Sequence, residues 1–203
     1  HCAFPKKSKP IEVETAKFAK SDSTAEVSVL VQWPVNGDKI IVDSLRHHIN
    51  YLLCDELNRP DDVKAYGESL FESLSLDWHS VYDEMEPEER LGAFTRYYEI
   101  TLEAQTNRYV TYFYRQHEYQ GGIHGYTTDV GFTFRKSDGK QIKLLENTDS
   151  PELAKLVKEG IKSFFAGGPD QTITDEVVLE FLFAEDVDDL DNIPLPANPP
   201  YLT

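Results

Sequence analysis

An α+β fold, an antiparallel sheet with helices packed against it, is predicted by three observations. Phe94–Ala104, Arg108–Arg115 and Tyr126–Arg135 alternate and are rich in Tyr, Thr, Val and Phe, the composition of a pleated, half-buried surface. Turn chemistry separates such segments: Gln105-Thr106-Asn107 between the first pair, and Ser137-Asp138-Gly139-Lys140, whose Asp-Gly suits a tight hairpin, before Gln141–Leu145. Stretches with apolar residues at helical spacing lie before and after this block. The division expected is a flexible tether over 1–10, a strand and helix module over 11–92, a sheet and helix module over 93–185, and a truncated linker over 186–203.

Taken in order, Ile11–Lys20 and Ala25–Trp33 are β-prone and separated by Ser21-Asp22-Ser23-Thr24, so they read as a hairpin. Val27, Val29 and Val31 give its second strand one apolar face, and Pro34 is expected to close it because proline lacks a ladder donor. Asn36-Gly37 turns the chain into a helix over about 39–57 carrying Ile41, Leu45, Ile49, Leu52 and Leu53 on one stripe, with Asp38 or Asp43 at its start. Pro60 opens a second helix reaching about Met85, with Val63, Tyr66, Leu70, Leu74 and Val81 recurring at helical spacing and Gly67 weakening it slightly.

After the sheet, Ser150 is expected to cap a third helix. Pro151 and Glu152 open it, and Leu153, Leu156, Val157, Ile161, Phe164 and Phe165 form its apolar face up to Gly167-Gly168-Pro169. Thr174-Asp175-Glu176 favours helix over strand for Val177–Phe183. From Asp186 the chain is acidic and proline-rich, a linker composition.

Composition narrows the function classes. The 203 residues carry 36 acidic against 20 basic side chains, a formal net charge of -16, so a sequence-independent grip on phosphate backbones is disfavoured and nucleic acid is not an expected partner. No apolar run reaches the roughly 20 residues of a membrane helix. Two cysteines define no disulfide framework. Cys2, followed by the Pro- and Lys-rich stretch to Pro10, reads either as the lipid-bearing first residue of a bacterial lipoprotein or as a leftover beside an arbitrary boundary. Cys54 falls on the helix side opposite Leu45, Ile49 and Leu52, with nothing beside it to activate a thiolate.

The most distinctive run is Tyr119-Gln120-Gly121-Gly122-Ile123-His124-Gly125-Tyr126. Glycines permit close backbone approach and histidine as a residue type suits proton transfer near neutrality, but general acid/base work needs a partner in reach, and adjacent His117 and Glu118 face opposite sides of a strand. A turn between strands explains the same glycines. As a binding loop, the run would present Tyr119, His124 and Tyr126, with Gly121 and Gly122 shaping it. His47 and His48 cannot share one helix face, and His79 with Asp83 lacks a third ligand, so no metal site is expected. Asp186, Asp188 and Asp191 lack the glycine and twelfth-position Glu of a calcium loop. Neither a phosphate-cradling motif nor a Gly-x-Ser-x-Gly elbow occurs, and no cofactor is expected. Tyrosines at 97, 98, 109, 112, 114, 119 and 126, with Phe113, fit either an interface or an ordinary half-exposed sheet.

The run Tyr109–Arg115, then Tyr119-Gln-Gly-Gly-Ile-His-Gly, then Thr133-Phe-Arg-Lys-Ser-Asp-Gly-Lys-Gln-Ile and a helix from Ser150, resembles the extracytoplasmic RsiV-type domain. That family includes lysozyme-sensing anti-sigma factors and many bacterial envelope proteins of unknown function. The match covers about 94–165. A sensor of this type carries a sigma-binding segment and a membrane helix ahead of the domain, and the family continues with a strand-rich segment past the position of Thr203. The resemblance implies a non-catalytic binding module of the bacterial envelope, outside the cytoplasm and lipid-anchored if Cys2 is modified. Its implied ligand is a lysozyme-like protein or cell-wall carbohydrate, and the acidic charge suits a basic partner. The alternatives are a cell-wall hydrolase using His124 and a structural lipoprotein.

Overall fold

The computed structural model of the chain describes residues 8–143, 151–167, 173–182, 190 and 202. It has the α+β architecture that the sequence predicts. One sheet runs in the order β1 (Glu12–Ser21), β2 (Ala25–Asn36), β3 (Phe94–Gln105), β4 (Tyr109–Tyr119), β5 (Tyr126–Arg135), β6 (Gln141–Ile142). Helices α1 (Lys39–Leu53) and α2 (Asp62–Tyr82) lie between β2 and β3, and α3 (Pro151–Ala166) and α4 (Asp175–Leu182) follow the sheet. Among the described residues, no helix is long and apolar enough to cross a membrane.

The sheet departs from a purely antiparallel one at a single pairing. β2 and β3 run parallel, with Ala25 opposite Phe94 and Val31 opposite Ile100, while the other four pairings are antiparallel. The cause is the two-helix connection, which returns the chain to the starting end of β2 before β3 begins. This pairing joins strands from both expected modules in one sheet. The chain divides into two compact units, 1–143 with 200–203, and 144–199.

In the first unit, Val27, Val29, Val31 and Trp33 of β2 are buried, and burying each aliphatic side chain contributes about 1.5–3 kcal/mol. Pro34 does not close β2: it pairs with Val13 beside a register shift at Glu12/Val13, so the strand runs on to Asn36. An irregularity there tolerates the missing donor. At the β1–β2 turn, the Asp22 carboxylate accepts from the backbone N–H of Thr24 at 2.7 Å and of Ala25 at 3.0 Å.

The α1 stripe is as expected, with Ile41, Leu45, Ile49 and Leu53 buried, but the helix stops at Leu53 rather than near 57. Cys54 adopts the left-handed conformation, φ 52°, and the Asp55 N–H bonds back to the Asn50 carbonyl. Cys54 is therefore an exposed helix cap rather than a residue within the helix. The Asn50 side chain holds the exit, accepting from Leu57 N–H at 3.1 Å and donating to its carbonyl at 3.0 Å.

The second helix begins at Asp62 rather than Pro60, and the Asp62 carboxylate accepts from the N–H groups of Asn58 and Arg59. Its buried face is Val63, Gly67, Phe71, Leu74, Trp78 and Tyr82. Val81, expected on that stripe, is half exposed. The buried face is centred on Gly67 and the aromatics Phe71, Trp78 and Tyr82; Tyr66 still packs beside it, its ring 6.3 Å from that of Tyr98, while Val81 turns away.

β4 reaches Tyr119, four residues beyond the strand read from sequence, and β6 is only two residues long. The turn between β3 and β4 closes with Thr106 N–H donating to the Tyr109 carbonyl at 2.9 Å. The Asp-Gly hairpin before β6 forms as expected, with Gly139 at φ 68° donating to the Arg135 carbonyl.

In the second unit, α3 and α4 form over the expected stretches, and Asp175 at the start of α4 pairs with Lys158 and Lys162 of α3. Leu153, Val157, Ile161 and Phe165 of the α3 stripe are half-buried, whereas Leu156 and Phe164 are exposed. Ser150, the expected cap, and Leu144–Leu145 lie outside the described residues, as does the 186–203 linker apart from Leu190 and Leu202.

Candidate functional site

Side chains alternate across a strand, so register decides which residues share a face. On β4, Glu118 lies opposite Arg96 and Tyr126, and His117 lies opposite Tyr97 and Thr127. The sheet therefore carries two rows at this end. Arg96, Glu118 and Tyr126 lie on the side that carries Phe94 and the α2 contacts, while Tyr97, His117, Tyr119 and Thr127 lie on the other.

On the first side, Arg96 Nη2 pairs with Glu118 Oε2 at 3.1 Å, and Gln116 Nε2 donates to the same oxygen at 3.3 Å. Tyr114 donates to Gln116 Oε1 at 2.7 Å, and the Tyr98 and Tyr114 rings stack 6.3 Å apart. Burial pushes the Tyr114 and Tyr66 hydroxyls well above the ordinary phenol value. On the second side, Tyr97 stacks on His117 at 5.6 Å, and His117 Nδ1 lies 2.8 Å from the Thr127 hydroxyl. Burial, with the Glu26 carboxylate beside it, pushes the Tyr97 hydroxyl up to about 12.

The 120–125 connection closes the β4–β5 hairpin at this end. Gly121 and Gly122 have φ of 85° and 97°, a region other L-residues adopt only at a cost. Gly121 has a second constraint: a Cβ there would come 2.7 Å from the Tyr82 hydroxyl. The connection is thus seated on the end of α2. Tyr119 is half-buried and turns inward, its hydroxyl donating to the Gly122 carbonyl at 3.1 Å. Gly125 passes over the His117 ring, where a Cβ would lie 2.8 Å from a ring carbon.

His124 is exposed and makes no hydrogen bond or ion pair among the described residues. Tyr126 is 64% exposed, and the residue that sequence reasoning passed over, Ile123, is 91% exposed. The structure brings Ile123, His124 and Tyr126 to the surface, and it makes Tyr119, Gly121 and Gly122 the frame that holds them. A signal for Ile123 was present: it is the one large apolar residue among glycines and polar residues from 120 to 125. The proposed lipid-bearing Cys2 lies outside the described residues. Among the described residues, no group of three His, Cys, Asp or Glu side chains is placed to hold a metal ion.

No protein-family model and no curated protein matches the chain. Solved structures do. A member of the DUF3298 family from Bacteroides fragilis NCTC 9343 superposes with a TM-score of 0.64 at 17% identity, over 84% of this chain and 74% of that one. A DUF3298 family protein from Pseudomonas aeruginosa PAO1 gives a TM-score of 0.44 at 13% identity, over 80% and 69%. The first likeness shows a shared architecture: this chain has the fold of a bacterial DUF3298 family protein.

Proposed function

We propose that the chain is a non-catalytic binding module of the bacterial cell envelope that engages a basic, lysozyme-like protein through the 120–126 connection, a cell-wall glycan being the other ligand class the RsiV-type resemblance implies. The observation that carries this is exposed apolar area on a connection tied down at Gly121 and Tyr119. Ile123 and Tyr126 present apolar area to solvent on a connection framed by two positive-φ glycines and the Tyr119 hydroxyl. Preorganised apolar and tyrosine side chains are what a protein contact uses, because little ordering entropy remains to be lost. The net charge of -16 supports a basic partner by steering its approach.

The other end of the sheet supports an anchored arrangement. Gln105 accepts from Ile11 N–H at 2.8 Å and donates to the Ile11 carbonyl at 3.0 Å, clamping the start of the described chain to the β3–β4 turn. β4 spans 11 residues between that turn and the 120–125 connection, roughly 35 Å of strand. A chain tethered through Cys2 would therefore hold Ile123 at the end away from its anchor. The test compares lysozyme affinity of the native chain with that of Ile123→Asp and Tyr126→Ala. Each variant is expected to weaken binding more than tenfold, and unchanged affinity in both would remove the 120–126 connection from the contact.

A further inference from the structure

The opposite end of the sheet holds a feature that the binding reading leaves unused. Lys136, just past β5, is 3% exposed, and its backbone N–H donates to the Arg108 carbonyl at 2.8 Å. Its ammonium has three hydrogens to place. One goes to Gln105 Oε1 at 3.0 Å and a second reaches the Lys9 carbonyl at 3.5 Å. Both acceptors are neutral, and Gln105 Oε1 is already shared with Ile11 N–H. Among the described residues no carboxylate lies within ion-pairing distance of Lys136, and Asp38, the acidic group it feels, accepts instead from Lys9 N–H at 3.1 Å.

A buried ammonium is costly unless an opposite charge offsets it. Here Lys136 lines an open pocket of about 750 Å³, together with Ser8, Lys9, Pro10, Gln105, Thr106 and Asn107. That volume falls within the roughly 300–1,000 Å³ of small-molecule sites and exceeds what a bare inorganic anion needs. Two lysines, Lys9 and Lys136, are in the lining, in a chain that is acidic overall. Burial lowers the Lys136 ammonium from the ordinary lysine value while Asp38 opposes the shift.

We propose that this cavity is a binding site for a phosphate ester, with the Lys136 ammonium at its floor pairing with a phosphate oxygen and Lys9 and Asn107 at its rim. A lysine acts on phosphate as a point charge, and several non-ester oxygens can meet donors on the floor and the rim together, which a single carboxylate does less well. The esterified group fills the rest of the cavity against Pro10. The site is independent of the 120–126 connection. A soluble sugar or glycerol phosphate and the headgroup of an anionic phospholipid offer the same chemistry, and the second would be met if the protein is held at a membrane surface.

The test titrates the full chain with glycerol 3-phosphate, with glycerol as a neutral control, and separately with vesicles of phosphatidylglycerol. Binding of the phosphate but not of glycerol is expected, and Lys136→Met, which keeps the length of the side chain without its charge, is expected to weaken it at least tenfold. Binding of the soluble ester identifies a soluble ligand; binding confined to vesicles identifies a headgroup. Should Lys136→Met fail to fold by circular dichroism, Asn107→Asp puts a like charge at the exposed rim and is expected to weaken binding several-fold. Binding of neither probe, equal binding of glycerol, or affinity unchanged in the folded variant overturns the proposal.

Discussion

Gly67 of α2 lies against the ring of Phe18 of β1, so closely that a Cβ at 67 would stand 2.2 Å from a ring carbon. The absent side chain lets the helix approach the sheet, and the buried atoms it would strike are near the root of the ring rather than at a mobile tip. Two effects of Gly67→Ala oppose each other: alanine favours a helix by about 1 kcal/mol, and overpacking a core costs about 1–3 kcal/mol. At 2.2 Å the clash wins. Chemical denaturation is expected to show a loss of about 1–2 kcal/mol; a gain would mean that the helix and Phe18 separate freely.

His48 predicts an acid-sensitive packing contact. Its ring meets Phe132 at 4.3 Å and Phe134 at 5.1 Å edge-on, and Nε2 is buried without a partner. Burial, with His47 adding repulsion, holds the imidazole at about 4 instead of 6.5. The folded value is the lower one, so the unfolded chain binds the proton first, and stability falls as pH drops from 6.5 to about 4. The loss attributable to this group is on the order of 2–3 kcal/mol. His48→Phe is expected to flatten that part of a stability-against-pH curve, and an unchanged slope would count against the assignment.

Cys54 caps α1 with φ 52°, a conformation that costs a non-glycine residue about 1 kcal/mol. Cys54→Gly should therefore raise the unfolding free energy by about 0.5–1 kcal/mol, read from the denaturation midpoint. Destabilisation would show that the exposed thiol makes a contact worth more than the backbone cost.

Gly121 is constrained twice, by its φ of 85° and by the Tyr82 hydroxyl. Gly121→Ala is expected to cost about 1–3 kcal/mol and to increase hydrogen exchange in the 120–125 connection while β1 and β2 keep their protection. Uniform loss of protection would mean that the connection supports the whole sheet.

The sheet was legible because its signals are local: alternation in β2 to β5 and the Asp-Gly at 138–139 depend on neighbours in sequence. The parallel β2–β3 pairing was not, since nothing in either strand states its partner. Pro34 misled because a bulge opposite a proline is set by the partner strand. The α2 stripe misled for a related reason: Gly67 carries no hydrophobic signal, and its place in the core follows from Phe18 in another element. At the candidate site, the glycines marked the connection, but Tyr119 folds inward through a bond to Gly122, while Ile123, an apolar side chain, is 91% exposed. Lys136 could not be found at all, because its burial depends on Lys9 and Gln105, remote in sequence.

Calorimetric titration of the native chain with a basic lysozyme, repeated across ionic strength, tests the binding reading most directly. At about 0.01 M salt charges act over roughly 30 Å, and at about 0.15 M over roughly 8 Å. A saturable heat at the lower salt that weakens at the higher is the predicted result; no heat at the lower salt would contradict it.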